Sequence, residues 1–188
     1  MRLISTLLFI LCLCSAALAQ DAPRHFLRLS AGPAFTGSGD RNGVSANATF
    51  GLDIKPRLHL LGGYSHSRFD QGAFEFGHAT VHSAELGAAF DLISTGFFSL
   101  EAGAGACFQW RSAFYKTGPF QSIYVDGGFQ LGPNEEGTYK VRQAGYMVSL
   151  GAVFHLASWL DLGLWGVFQS GTEGDNTAAL RLGGQVRF

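Results

Sequence analysis

Lysine is scarce here: three in 188 residues, Lys55, Lys116 and Lys140, each in a segment that reads as a turn or loop. Charged residues of all kinds make up 14 % of the chain. A globular surface coat would need more, since water-facing walls are normally clothed in mixed charge. No basic stripe exists, and the formal net charge is −1, so nucleic acid is not an expected partner. Cysteine is nearly absent. Of Cys12, Cys14 and Cys107, the first two fall in an apolar leader, so the remaining chain cannot form an internal disulfide.

That leader has three parts. Arg2 supplies positive charge, Leu7 to Leu13 is an apolar run, and Ala17-Leu18-Ala19 ends it with a small-x-small cleavage site before Gln20. The pattern is that of a secretory signal peptide, too short for a membrane-spanning helix. Leucine precedes both Cys12 and Cys14, which speaks against a lipoprotein. The expected division is therefore residues 1–19 as signal peptide and residues 20–188 as one domain.

What the chain has in abundance is glycine, 26 residues, set among apolar residues at every second position. Phe98, Leu100, Ala102, Ala104, Ala106, Phe108 and Trp110 fall on one face of an extended chain, and Ser99, Glu101, Gly103, Gly105, Cys107, Gln109 and Arg111 on the other. Strand side chains alternate with period two, so this is a strand with one oily and one wet face. A soluble barrel would turn its oily face inward and carry charge outside. Here the polar face is mostly glycine, serine and glutamine, a poor solvent coat but a suitable filling for a narrow lumen. The expected fold is all-β: an antiparallel, up-and-down, eight-stranded transmembrane β-barrel.

Eight such segments can be marked: His25–Phe35, Val44–Ile54, Leu58–Arg68, Ala79–Leu92, Phe98–Arg111, Val141–Leu156, Trp159–Gln169 and Thr177–Phe188. Glycine-rich connections of seven or more residues alternate with turns of two to four, the asymmetry of membrane barrels with long outer loops and short periplasmic turns. Pro33 gives up a ladder donor, so a strand end or bulge is expected there. The longest connection, Ser112 to about Lys140, holds Phe114, Tyr115, Phe120, Tyr124, Phe129 and Tyr139, and its Gln121–Val125 could extend the fifth strand. Aromatics such as Phe35, Tyr64, Phe90, Trp110, Tyr146 and Trp159 gather near strand ends, as in interfacial girdles.

The last segment alternates Leu180, Leu182, Gly184, Val186 and Phe188, and the sequence ends on that phenylalanine. This resembles the signal read by the outer-membrane barrel assembly machinery. Together with the leader, the whole mature chain is similar to the small eight-stranded outer-membrane proteins of the OmpA-barrel, OmpX and Ail type, and A-L-A-Q resembles cleavage sites of Bacteroidetes members of that group. The resemblance implies residence in the outer membrane of a Gram-negative bacterium. It implies contact with outer-membrane lipid, lipopolysaccharide and the assembly machinery, and a structural or adhesive role through external loops that meet surface or host ligands.

With the termini periplasmic, Arg28, Asp53, Asp91, Glu101, Asp161, Arg187, His59 and His155 point inward near one end of the lumen, and Glu85, Arg111 and Arg181 form a second inward group. Four carboxylates against two arginines call for a cationic histidine or a protonated acid, since unpaired buried charge is costly. An Arg–carboxylate network that plugs the barrel is expected, with a narrow channel for small or hydrophobic solutes as the alternative. A lipid-modifying enzyme is the third reading. Neighbouring residues of Ser65-His66-Ser67 point to opposite faces, and on the fourth strand Ser83 and Glu85 face away from His78 and His82. No catalytic set, cofactor or metal site is therefore expected. His66, His78 and His82 could meet near the outer rim, but without metal-ligand spacing they read as girdle or loop residues.

The long Ser112–Lys140 connection, dense in aromatics, is the expected contact surface.

Overall fold

A computed structural model describes residues 25–36, 42–70, 78–116, 122–125, 128–131, 136–172 and 176–188. The strands are β1 (His25–Thr36), β2 (Asn42–Lys55), β3 (Leu58–Asp70), β4 (His78–Ser94), β5 (Phe98–Lys116), β6 (Ser122–Val125), β7 (Gly128–Leu131), β8 (Glu136–Ala157), β9 (Leu160–Gly171) and β10 (Asn176–Arg187). Eight of them close a barrel in the order β1-β10-β9-β8-β5-β4-β3-β2, while β6 and β7 pair with each other. Every neighbouring pair in the barrel is antiparallel. Closure removes the unpaired edges that a membrane interior cannot satisfy.

Alternation in sequence becomes alternation in space. Along β1, Leu27, Leu29, Ala31, Pro33 and Phe35 are exposed, while Phe26, Arg28, Ser30, Ala34 and Thr36 are buried. Leu86 is 70 % exposed, Leu182 68 % and Leu29 57 %, whereas Glu101 is 4 % and Arg181 4 %. Each strand carboxylate whose side chain is described (Asp53, Glu85, Asp91, Glu101 and Asp161) lies on the inward face of its strand. An oily outer wall around a charged interior is the arrangement a bilayer selects. Short turns at Pro56–Arg57, Thr95–Phe97 and Ser158–Trp159 lie at the same end as Phe188, whose backbone N–H donates to His25 O at 2.9 Å. The Phe188 ring packs with His25 and Phe50 at that seam.

Three expectations need correction. Residues 112–116 and 136–140 are strand, not loop: β5 and β8 stay paired as far as Lys116↔Glu136. Ser122–Val125 does not extend β5 but pairs with Gly128–Leu131 in a separate hairpin. Pro33 sits within β1 and causes no bulge. The β1–β10 ladder lapses at Gly32 and Pro33 and resumes in unchanged register at Ala34↔Ala179. A Cβ on Gly32 would lie 2.0 Å from Leu180 O, so the missing side chain keeps the seam tight where the donor is lost. Smaller shifts also occur: β4 runs to Ser94 through an irregularity at Asp91/Ile93, and Trp159 belongs to a turn.

Residues 1–19, assigned to a signal peptide, lie outside the described residues.

Candidate functional site: the barrel lumen

Neighbouring strands supply the lumen's central contact through their register. Glu101 on β5 stands opposite Gly151 on β8, and Gly151 stands opposite Trp165 on β9. Glycine at the middle position leaves room for its neighbours to meet. Trp165 Nε1 donates to Glu101 Oε1 at 2.7 Å across the gap. From the far side Arg28 on β1 donates Nη1 to Glu101 Oε1 at 2.8 Å and Nη2 to Oε2 at 2.9 Å. This is the bidentate fork that guanidinium and carboxylate geometry favours. The Arg28 Cζ also lies 4.2 Å from the centre of the Trp165 ring, a cation–π contact in a dry setting.

Below this pair is a second group at the chain-terminus end. Gln185 links them: its Oε1 accepts from Arg28 Nε and Nη2, and its Nε2 donates to Asp161 Oδ2 at 2.9 Å. Arg187 Nε donates to the same oxygen at 2.7 Å, and His155 Nδ1 lies 2.8 Å from Asp161 Oδ1. His59 places Nδ1 2.6 Å from Asp53 Oδ1 and Nε2 3.4 Å from Asp91 Oδ2. A ring with a carboxylate at each nitrogen is satisfied by the imidazolium, since a neutral ring has one N–H. That supplies the cation which the excess of carboxylates demands.

Above the central pair, Arg181 Nη1 stands 4.0 Å from Glu85 Oε1 and its Nε donates to Ser45 Oγ at 3.1 Å. Glu85 further accepts from Gln169 Nε2 at 2.6 Å and Asn47 Nδ2 at 3.2 Å. Arg111 is half-buried on β5, opposite Val81 and Val141 in register.

Several lumen contacts have no counterpart in the sequence reading. Gln143 Nε2 donates to Gln109 Oε1 and Gln109 Nε2 to Gln169 Oε1, an amide relay ending at Glu85. Their inward parity on β5, β8 and β9 was the available signal. Trp165 and Phe26, each 2 % exposed, point inward against the rule that apolar residues face lipid. Glycines explain them: a Cβ on Gly51 would lie 2.0 Å from the Phe26 ring, and one on Gly163 would lie 2.3 Å from the indole. Farther up, Ala34, Phe69, Ala79 and Val81 form an apolar cluster, so the lumen is not polar throughout.

Ser99 Oγ lies 2.9 Å from His155 Nε2, and His155 Nδ1 bonds Asp161. This is the connectivity of a Ser-His-Asp triad. Ser99 is 3 % exposed, however, and the cavity beside it measures about 10 Å³, room for one water and no substrate. Asp161 is shared with Arg187 and Gln185, as expected of a structural acceptor. A second cavity of about 30 Å³ lies on the other side of Arg28, lined by Glu85, Trp165 and Arg181. Arg28, Glu101 and Trp165 thus interrupt the lumen between two spaces of water size.

On the outer wall His66 and His82 are directly opposed, with ring centres 4.7 Å apart, and His82 Nδ1 meets the Tyr64 hydroxyl. Ser65 and Ser67 point inward, away from His66. Among the described residues no group of three or more histidine, cysteine, aspartate or glutamate side chains converges on a metal position. The side chain of His78 lies outside the described residues, as do those of Phe114, Tyr115, Tyr124, Phe129 and Tyr139; Phe120 lies outside them altogether.

No protein-family model matches the sequence, and no curated protein matches it. Solved structures do. Neisserial surface protein A is similar with a TM-score of 0.60 at 15 % identity, over 90 % of this chain and 100 % of that one. Ail, the attachment invasion locus protein of Yersinia pestis, solved with the heparin analogue sucrose octasulfate, gives 0.60 at 13 % identity over 89 % and 100 %. A major outer membrane protein of Thermus thermophilus gives 0.52 at 14 % identity over 87 % and 99 %. At these identities the likeness concerns fold: the chain has the architecture of the small eight-stranded outer-membrane β-barrels.

Proposed function

We propose that this protein is an integral outer-membrane barrel with a plugged lumen, acting through its external connections in a structural or adhesive role. The observation that carries this reading is the Arg28–Glu101–Trp165 block across the interior, with a space of water size on either side. A conduit needs a continuous polar path, and a catalyst needs a cleft at its nucleophile. The β8–β9 ladder is unbroken from Gly145↔Gly171 to His155↔Asp161, so a lateral opening finds no support on that flank. Leucine and phenylalanine on the outer wall suit lipid, and Phe188 at the seam suits recognition by the assembly machinery.

Partners of this reading are outer-membrane lipid, lipopolysaccharide, and surface or host ligands. The contact surface is assigned to the segment between β5 and β8, with Phe120, Tyr124 and Phe129 within it and Phe114, Tyr115 and Tyr139 on its flanks. Ail's complex with a heparin analogue offers a precedent for a surface ligand on this fold. Residues 117–135 contain Asp126 and Glu135 but no lysine or arginine. A polyanion therefore suits this segment less well than a protein surface that receives aromatic side chains.

Lys116 and Glu136 are paired, so exchanging residues 117–135 for Asn-Gly closes a two-residue hairpin on the existing register. The shortened chain is expected to fold and insert as the parent does. Adherence of expressing cells to protein-coated glass is expected to fall to the level of cells without the protein. Unchanged adherence by the shortened barrel would remove the segment as the contact surface.

A further inference from the structure

Cations on the outer wall are gathered on one side of the barrel. Register aligns Arg68, Thr80, Ser112 and Lys140 in one row across β3, β4, β5 and β8. The next row, two residues nearer the chain termini, is His66, His82, Trp110 and Arg142. All these positions share the outward face of their strands, and Arg68, Lys140, Arg142 and His66 are exposed. Three strand spacings make each row about 14 Å wide. The remaining four strands present a different wall. The outward positions of β9, β10, β1 and β2 carry no lysine, arginine or histidine above the terminal seam, where His25 packs with Phe188. No carboxylate whose side chain is described points outward on any strand; the side chains of Asp70 and Glu136 lie outside the described ones.

A row of rings lies just below. Tyr64 and Phe108 flank Ala84 in the third row, and the Phe108 ring packs edge-on against Trp110 at 4.9 Å. Aromatic rings of this kind mark the headgroup level of a bilayer, so the cations stand where lipid phosphates lie.

We propose that this wall is a binding site for a phosphorylated lipid headgroup, the lipopolysaccharide of the surrounding leaflet, which rests on the outer-membrane reading above. Arg68 and Arg142 offer planar forks that match phosphate oxygens, and Lys140 adds a third cation. The His66 and His82 rings and the Trp110 N–H supply further donors between them. The spread of charge over about 14 Å fits a headgroup with more than one phosphate better than a single small anion. Half of the barrel would then carry a fixed shell of anionic lipid, and the other half would meet lipid chains without a headgroup preference.

The test uses the full chain, refolded in micelles and in vesicles, with binding of lipid A followed by tryptophan fluorescence and by mass spectrometry of the intact complex. The parent is expected to bind lipid A at least about tenfold more tightly than the same lipid stripped of its phosphates. The triple variant R68Q/K140Q/R142Q is expected to lose that preference, while K55Q/R57Q, at the opposite end of the barrel, keeps it. Equal binding of phosphorylated and dephosphorylated lipid by the parent would overturn the proposal without any variant. So would a folded triple variant that binds like the parent. Inorganic phosphate is the remaining arm: if it competes as strongly as lipid A, the site takes free anions and the lipid assignment fails. A parent chain that folds but does not enter vesicles would instead refute the membrane reading itself.

Discussion

Replacing Arg28 with alanine is expected to destabilise the barrel by about 3–5 kcal/mol, the usual cost of leaving a buried charge without its partner. Glu101 would keep one hydrogen bond, from Trp165 Nε1, and lose both from the guanidinium. Gln185 would lose the two donors that occupy its Oε1, which loosens its link to Asp161. Adding Glu101→Gln to an Arg28→Met change removes the stranded charge, retains an acceptor for the indole, and fills the arginine's volume. That double variant is expected to recover most of the loss. Urea unfolding in micelles, followed by tryptophan emission, reads both values. A loss below about 1 kcal/mol for Arg28→Ala would mean that water already solvates the pair, contrary to a dry block.

Gly151→Val should have an effect of similar size by another route. A Cβ at position 151 would stand 2.4 Å from Trp165 Cδ1 and 2.7 Å from Glu101 Cγ. Both side chains must move, and the Trp165–Glu101 hydrogen bond breaks with them. Overpacking alone costs about 1–3 kcal/mol, and stranding the buried indole N–H adds about 1–3 more. Gly62 is the control, since a Cβ there has nothing within 4 Å. Gly62→Ala is expected to change stability by no more than about 0.5 kcal/mol. Equal stability of Gly62→Ala and Gly151→Val would show that the indole does not fill the space beside Gly151.

The barrel itself was legible because a bilayer enforces alternation. Ser112–Lys116 and Glu136–Lys140 lost the pattern and read as loop, although their backbones stay paired. The inward placement of Phe26 and Trp165 was hidden for another reason. An apolar residue on an inward position is allowed if other strands leave a hole for it, and Gly51 and Gly151 belong to strands whose register cannot be read from β1 or β9 alone. The inward charges were visible as residues but not as pairs. That Arg28 meets Glu101 rather than Asp161 depends on barrel shear, which no single strand encodes. Ser99 beside His155 is a case of the same kind, a contact between β5 and β8 with no local motif.

At the centre of this account is a lumen filled by its own side chains. Single-protein recordings in planar bilayers test that most directly, with the parent compared against a Trp165→Ala, Glu101→Ala double variant that removes two of the three blocking groups. The parent is expected to show no steady conductance above the bare bilayer, and the variant to show more current or an unstable barrel. A large, constant conductance through the unmodified protein would contradict the block formed by Arg28, Glu101 and Trp165.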